Sequence, residues 1–351
     1  MSSRMLAYSG LTTKVRAMES HFISDDEFRA IVALSDVPAV VAYLKKDPGY
    51  AAVLAPLDEN NLHRGEIETL LRNTVLYDFE RIYRFAGEEQ KPFLRRYGRR
   101  YEVRFLKQQL ARVFDPESIP DDVPRFSREE KQFFDEYSDL HFDALLASRT
   151  VEDLIKACEG TPYFDTLTKV HAGQDATLFR YETSLDLFHF GACWRDRKET
   201  VDKSQLSLLT KFYGTKFDTL NLWYIHRAKY YYHLNDVETY ALTIPALYRL
   251  TKQDIRALVE AENMDAYERA LKSTYYAKKY PELTKDNLQY MYTKICKSVL
   301  RNEAAQHPYS IAILYYYLYW KEHEVYRLTT AIECVRYHIS PEEAIGIVLR
   351  R

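Results

Sequence analysis

Glycine and proline are the scarce residues of this 351-residue chain, 10 and 12 in number. A sheet-rich protein needs many tight turns and a source of positive-φ positions, so their shortage argues against one. Leu, Ala, Glu, Lys and Arg are plentiful, all good helix formers. An all-α fold is expected, and the length allows two or three domains, each with its own core.

An excess of one charge is also lacking. Lys plus Arg total 49 against 51 Asp plus Glu, a net charge of −2, so there is no general electrostatic drive toward nucleic acid or anionic lipid. Any such role must rest on a local patch. Long hydrophobic runs are missing too. A spanning helix needs roughly 20 apolar residues, and the longest unbroken run, IAILYYYLYW from Ile311 to Trp320, is far shorter. Its tyrosine hydroxyls and indole N–H want polar partners, which suits a packed interior or interface better than hydrocarbon. The cysteines, Cys158, Cys193, Cys296 and Cys334, are widely spaced with no C-x-x-C pair, and the start of the chain shows no signal-peptide pattern. Reduced thiols in a cytosolic protein are the expectation.

Catalytic signatures are absent from the sequence. It has no G-x-x-x-x-G-K-[ST], G-x-G-x-x-G or G-x-S-x-G, and its histidines form no cluster. The group Lys321-Glu322-His323-Glu324 carries metal-ligand chemistry, but H-E-x-x-H would need histidine where Arg327 stands. Neighbouring helix positions also diverge by about 100°. The expected role of Glu324 is therefore a cap or a buried pair with a basic residue, and the charges after the aromatic run read as a helix surface.

What the chain does contain is internal repetition, which decides architecture before any motif does. FRAIVALSDVPAVVAYLKKDPGY from Phe28, FDALLASRTVEDLIKACEGTPY from Phe142 and IRALVEAENMDAYERALKSTYY from Ile255 share one pattern. Each opens apolar-x-Ala-apolar-apolar and breaks briefly. A helical stripe follows: Val37, Val40, Val41, Leu44; Val151, Leu154, Ile155, Cys158; Met264, Tyr267, Ala270, Leu271. Each closes on a tyrosine, Tyr50, Tyr163 or Tyr276. Two short helices over a shared core are expected for each copy. Asp25 reads as the N-terminal cap of the first.

A second element recurs downstream at similar spacing: YEVRFLKQQLARVF, FDTLNLWYIHRAKYYY and HEVYRLTTAIECVRY. They align on an acid, a β-branched residue and a leucine: Glu102, Val103, Leu106; Asp218, Thr219, Leu222; Glu324, Val325, Leu328. The period exceeds that of a solenoid and favours three compact domains, residues 1–118, 119–236 and 237–351. DPESIPDDVPRF, Asp115 to Phe126, cannot continue a helix and reads as the first linker. LNDVETYALTIP, Leu234 to Pro245, marks the second boundary.

YSGLTTKVRAMESHFIS (Tyr8–Ser24), the acid-x-x-N-L helix FDTLNLWYIHRAK (Phe217–Lys229) and the ending from Tyr317 to Leu349 together resemble the C subunit of bacterial and archaeal A/V-type ATPases, the counterpart of the d subunit of the eukaryotic vacuolar enzyme. The resemblance spans essentially the whole chain and includes the triplication. Tyr8, Lys14, Arg16 and Ala17 keep the family's N-terminal pattern, whereas Ser9-Gly10 depart from it. Asn221, Leu222, Ile225 and Arg227 keep the central one, with Phe105 and Arg327 in Asn221's place in the other copies.

The resemblance implies a funnel of three similar helical domains about a pseudo-threefold axis. It implies a non-catalytic rotor adapter without cofactor or metal, joining the central shaft (the D and F subunits) to the membrane proteolipid ring, with the membrane stator as a further candidate partner. Such a chain transmits torque for ion transport or ATP synthesis and is cytoplasmic, peripheral to the membrane through the complex. The alternatives are a helical scaffold of another assembly and an all-α enzyme with dispersed carboxylates.

One local charge feature is a candidate partner interface, the basic run Arg95, Arg96, Arg99, Arg100 with Arg104 beyond it. It could meet acidic loops of a partner. A solvated helix face with local ion pairs is the ordinary alternative, and a nucleic-acid role lacks any supporting fold.

Overall fold

The computed structural model describes residues 3–58, 62–116, 128–173 and 175–350. It is all-helical, with no strand among the described residues. A long α1 (Ser3–Glu19) leads into short α2 (Asp25–Val32), α3 (Val37–Leu44) and α4 (Ala51–Leu54), then long α5 (Arg64–Phe85) and α6 (Lys91–Phe114). After α7 (Arg128–Tyr137) come short α8 (Phe142–Ala147), α9 (Val151–Ala157) and α10 (Phe164–His171), then α11 (Leu178–Arg195), one-turn α12 (Arg197–Thr200) and long α13 (Leu206–His226). A π-helical turn, Arg227–Tyr231, extends α13 toward α14 (Asp236–Ala241). Short α15 (Lys252–Val259), α16 (Met264–Ser273) and α17 (Tyr275–Lys279) precede the long α18 (Leu288–Gln306) and α19 (Ile311–Arg336), and α20 (Pro341–Arg350) ends the described chain.

The short helices start where side chains can satisfy their first backbone N–H groups. Ser24 caps α2 reciprocally with Glu27, Thr150 caps α9 with Asp153, and Thr251 caps α15 with Asp254. Asp25 is thus not the cap expected from sequence. Ser24 is the residue with extended backbone and a hydroxyl in reach of Glu27 N, while Asp25 already lies inside the helix and pairs with Arg327 at 2.7 Å. Asp36 caps α3 through Ala39 N at 2.8 Å, with Pro38 in the first turn, where its missing N–H costs nothing.

Contacts divide the chain into two compact units: Met1–Leu94 with Asp115–Phe142 and His307–Arg351, and Arg95–Phe114 with Asp143–Gln306. In the first, α19 lies against α5, α2 and α20. The aromatic run that begins at Ile311 is the first part of this one unbroken helix. Ile313, Leu314, Tyr315, Tyr317 and Leu318 are all buried in it. Lys321 and Glu324 are buried as well, contrary to the expected charged surface, because they neutralise each other inside the unit. No helix of the described residues is long and apolar enough to cross a membrane. α1 contributes Tyr8, Leu11, Val15 and Met18, one helical stripe, to the same core. The proline-rich segment follows the end of α6, and beyond Pro116, up to Ser127, it lies outside the described residues.

In the second unit α13 and α18 form the most extensive helix pair. The expected stripes are core here too: Leu154, Ile155 and Cys158, and Tyr267 and Leu271. All four cysteines of the chain are buried thiols, and burial pushes those of Cys158 and Cys296 up to about 12, which keeps them protonated and inert. Gly214 sits where α13 meets the segment before α15. A Cβ there would stand 2.4 Å from Tyr248 Cβ and 2.5 Å from its Cγ. These atoms sit at the root of the ring and cannot swing away. Gly214→Ala is therefore expected to destabilise the chain by about 1–3 kcal/mol through overpacking, measured as a lower urea midpoint with an unchanged slope.

Candidate functional site

The acids and tyrosines singled out in the sequence meet in the structure. Tyr163 OH donates to Glu102 at 2.5 Å, Tyr276 OH donates to Asp218 at 3.0 Å, and Tyr50 OH donates to Glu324 at 2.5 Å. The partners lie 61, 58 and 274 residues apart in sequence. All six side chains are buried. Each contact joins a trio of short helices to a long helix distant in sequence.

The acids also hold backbone. Asp218 accepts from the N–H groups of Tyr248 (3.1 Å), Arg249 (2.6 Å) and Leu250 (3.0 Å), just ahead of the cap Thr251. One turn on, Asn221 accepts from Ile244 N at 2.7 Å and donates to Ile244 O at 3.1 Å. The acid-x-x-Asn pattern is thus a clamp on residues 244–250. Glu324 does similar work at the start of α2, accepting from Ile23 N at 2.6 Å, directly before the cap Ser24. It also accepts from Lys321 Nζ at 3.1 Å, and the ammonium stands 4.0 Å above the Tyr50 ring. The buried basic partner expected for Glu324 is therefore Lys321.

Burial first, and the adjoining carboxylate second, push the phenols of Tyr50, Tyr163 and Tyr276 well above their ordinary range. A raised phenol pKa means that each contact stabilises the fold fully below the unfolded value of about 10 and is lost as pH rises above it. Stability, followed as thermal midpoint between pH 8 and 11, is expected to fall steeply once pH passes about 10. Tyr50→Phe should soften that fall.

The basic run lies on α6. Arg95 is exposed; Arg96, Arg99, Arg100 and Arg104 are half-buried. Arg96 pairs with Asp196 at 2.7 Å, Arg100 lies over the Tyr97 ring at 4.7 Å, and Arg104 over Tyr101 at 5.3 Å. Tertiary structure adds two residues that the sequence run does not contain, His189 of α11 and Lys216 of α13. Burial, then the charges of Lys216, Arg100, Arg96 and Arg99, hold the His189 imidazole well below its usual range and so neutral. A patch assembled from three helices leaves no signal in a linear scan beyond its largest fragment.

His323 packs edge-on to Trp320, and among the described residues no group of three or more His, Cys, Asp or Glu could hold a metal ion.

These features define an all-helical protein in which repeated carboxylate and tyrosine side chains fasten short helices onto long ones. Residues 11–345 match the family described as ATP synthase (C/AC39) subunit, and the chain belongs to it. It is 23% identical to the A-type ATP synthase C subunit of Thermococcus kodakarensis over 345 residues, 95% of this chain and 88% of the relative. It is 22% identical to the C subunits of the A-type ATP synthases from Pyrococcus abyssi over 347 residues (96% and 88%) and from Archaeoglobus fulgidus over 350 residues (97% and 95%).

Proposed function

We propose that this chain is the non-catalytic rotor adapter of a V/A-type ATPase. It joins the central shaft, the D and F subunits, to the membrane proteolipid ring, and it transmits torque for ion transport from the cytoplasmic face of the membrane. Family membership over residues 11–345 supports a place in the complex. The observation that carries the mechanical role is the set of three buried tyrosine–carboxylate contacts. A torque element must resist shear between its helices, and buried, fully satisfied polar contacts rigidify a packed core.

The same contacts support a chain made of three copies, 1–118, 119–236 and 237–351, each with a trio of short helices followed by long ones. In this reading the closing tyrosine of every copy seats on the copy before it. That offset accounts for the compact units failing to coincide with the copies: the short helices of one copy pack with a long helix of another. The basic α6 face, extended by Lys216, would meet acidic surface on a neighbouring protein of the complex.

Purification of the assembled ATPase through a tag on this chain tests the reading. Shaft and ring proteins are expected to co-purify, and loss of the chain should uncouple ATP hydrolysis from ion pumping. A folded chain that never enters the complex, with pumping still coupled in its absence, would overturn the proposal in favour of a scaffold for another assembly. Charge reversal at Arg96 and Arg99 is expected to weaken assembly. Arg96→Glu also breaks the Asp196 pair, so about 1.5–3 kcal/mol of stability should be lost with it. Arg95→Glu, at the exposed end of the run, leaves the Arg96–Asp196 pair in place, and complex yield per folded chain, followed by circular dichroism, should still drop.

A further inference from the structure

Arg227 follows the clamp on α13, where the helix widens into its π-helical turn, and neither the clamp nor the basic α6 face uses it. Its guanidinium stands 5.3 Å from the Trp223 ring, 5.2 Å from Tyr232 and 6.0 Å from Tyr231, and it donates to Tyr232 OH. Among the described residues no carboxylate pairs with it, so a cation is held between aromatic faces with donors to spare. π-helical turns are rare and are frequently found at functional positions.

Beside it opens a cavity of ≈ 280 Å³ between α11, the end of α13 and α6. Phe179, Leu187, Tyr224 and Leu242 supply its apolar walls. Lys107 and Asp186, at one side, neutralise each other at 2.6 Å. Glu182, also lining it, makes no ion pair with the described residues. Burial, then the charge of Asp186, pushes the Tyr224 phenol up to about 12, which fits a poorly hydrated wall. The rim is aromatic and open: Phe179 is 46% exposed and Tyr232 42%, and Tyr231, against the Tyr232 ring, is 72% exposed. Large exposed apolar patches around a concave centre mark protein contacts, and buried aromatic and arginine anchors dominate their energetics.

We infer that this cavity and its aromatic rim are a docking site for a partner protein segment whose apolar side chain enters the cavity while an acid on one flank meets Arg227 and a base on the other meets Glu182. Charge complementarity selects this occupant. The two side chains without a counter-charge are of opposite sign, so a wholly acidic or wholly basic segment would leave one repelled. A lipid headgroup would leave the apolar walls empty. The inference rests on the proposed place of the chain in a larger complex, but not on which face meets which partner.

A photo-reactive p-benzoylphenylalanine at Phe179, in the otherwise native chain within the purified ATPase, tests it. Cross-linking to one other protein of the complex is expected, at a peptide with an acid and a base each within about a turn of an apolar residue. Arg227→Glu should lower the cross-linking yield about tenfold, as loss of a central arginine does, and acid-to-arginine exchange at the mapped partner residue should restore it. Failure of the chain to co-purify would sink the adapter reading. Co-purification without any cross-link from Phe179, or with a cross-link only to lipid, would overturn the docking site alone. So would a yield indifferent to Arg227→Glu. Because the Phe179 probe leaves Arg227 in place, poor folding of the Arg227 variant would not obscure the result.

Discussion

Replacing Asp218 by alanine is expected to cost about 4 kcal/mol of folding stability, more than a typical truncation because so many donors share the one side chain. That side chain is fully buried and serves four donors at once, three consecutive backbone N–H groups and the phenol of Tyr276. Its removal strands all four, and each buried donor without a partner costs about 1–3 kcal/mol, partly offset by local relaxation. Burial raises the pKa of this carboxyl while the backbone donors oppose the rise, so the site is built around the acceptor oxygens more than around the charge. Asp218→Asn should consequently be milder than Asp218→Ala, keeping one acceptor but turning an amide toward donors. Chemical denaturation measures both. A loss below about 1 kcal/mol for the alanine variant would mean that water replaces the carboxylate, and the clamp would lose its energetic role.

Lys321→Met is expected to be comparably severe, at about 3–5 kcal/mol. Lys321 and Glu324 are 2% and 5% exposed. Taking away the ammonium leaves a buried carboxylate with Tyr50 OH and Ile23 N as donors but no counter-charge, and removes the cation from the Tyr50 face. Breaking one half of a buried pair is costly, whereas replacing both halves by neutral groups of similar volume is often nearly free. The double variant Lys321→Met with Glu324→Gln should recover most of the loss. A double-mutant cycle measures the coupling, and additivity within about 0.5 kcal/mol would show that the two side chains act independently.

The relation between sequence and site is clearest at the second recurring element. The acid at Glu102, Asp218 and Glu324 and the tyrosine at Tyr50, Tyr163 and Tyr276 both stand out in a self-comparison, since each recurs at a fixed place in its pattern. That they bind each other does not. The partners are far apart along the chain, and the link from Tyr50 to Glu324 spans 274 residues. The same holds for Asn221. Its grip on Ile244 depends on a segment with no regular structure of its own. The basic run was legible as arginines on a helix, but the ion pair of Arg96 with Asp196 and the neutral His189 beside the run are not, because three helices must pack before they meet.

Helical fold class, the positions of the short-helix stripes and the recurrence of acid and tyrosine were determined by the sequence alone, because helix propensity, 3.6-residue periodicity and capping act over a few residues. Tertiary structure decided the rest: that Lys321 and Glu324 are interior, that Arg227 stands between aromatic rings with no described carboxylate paired to it, and that each tyrosine seats on an acid distant in sequence. Those outcomes depend on which distant side chains share a low-dielectric interior, where a charge is tolerable only beside its partner, and no local pattern carries that information.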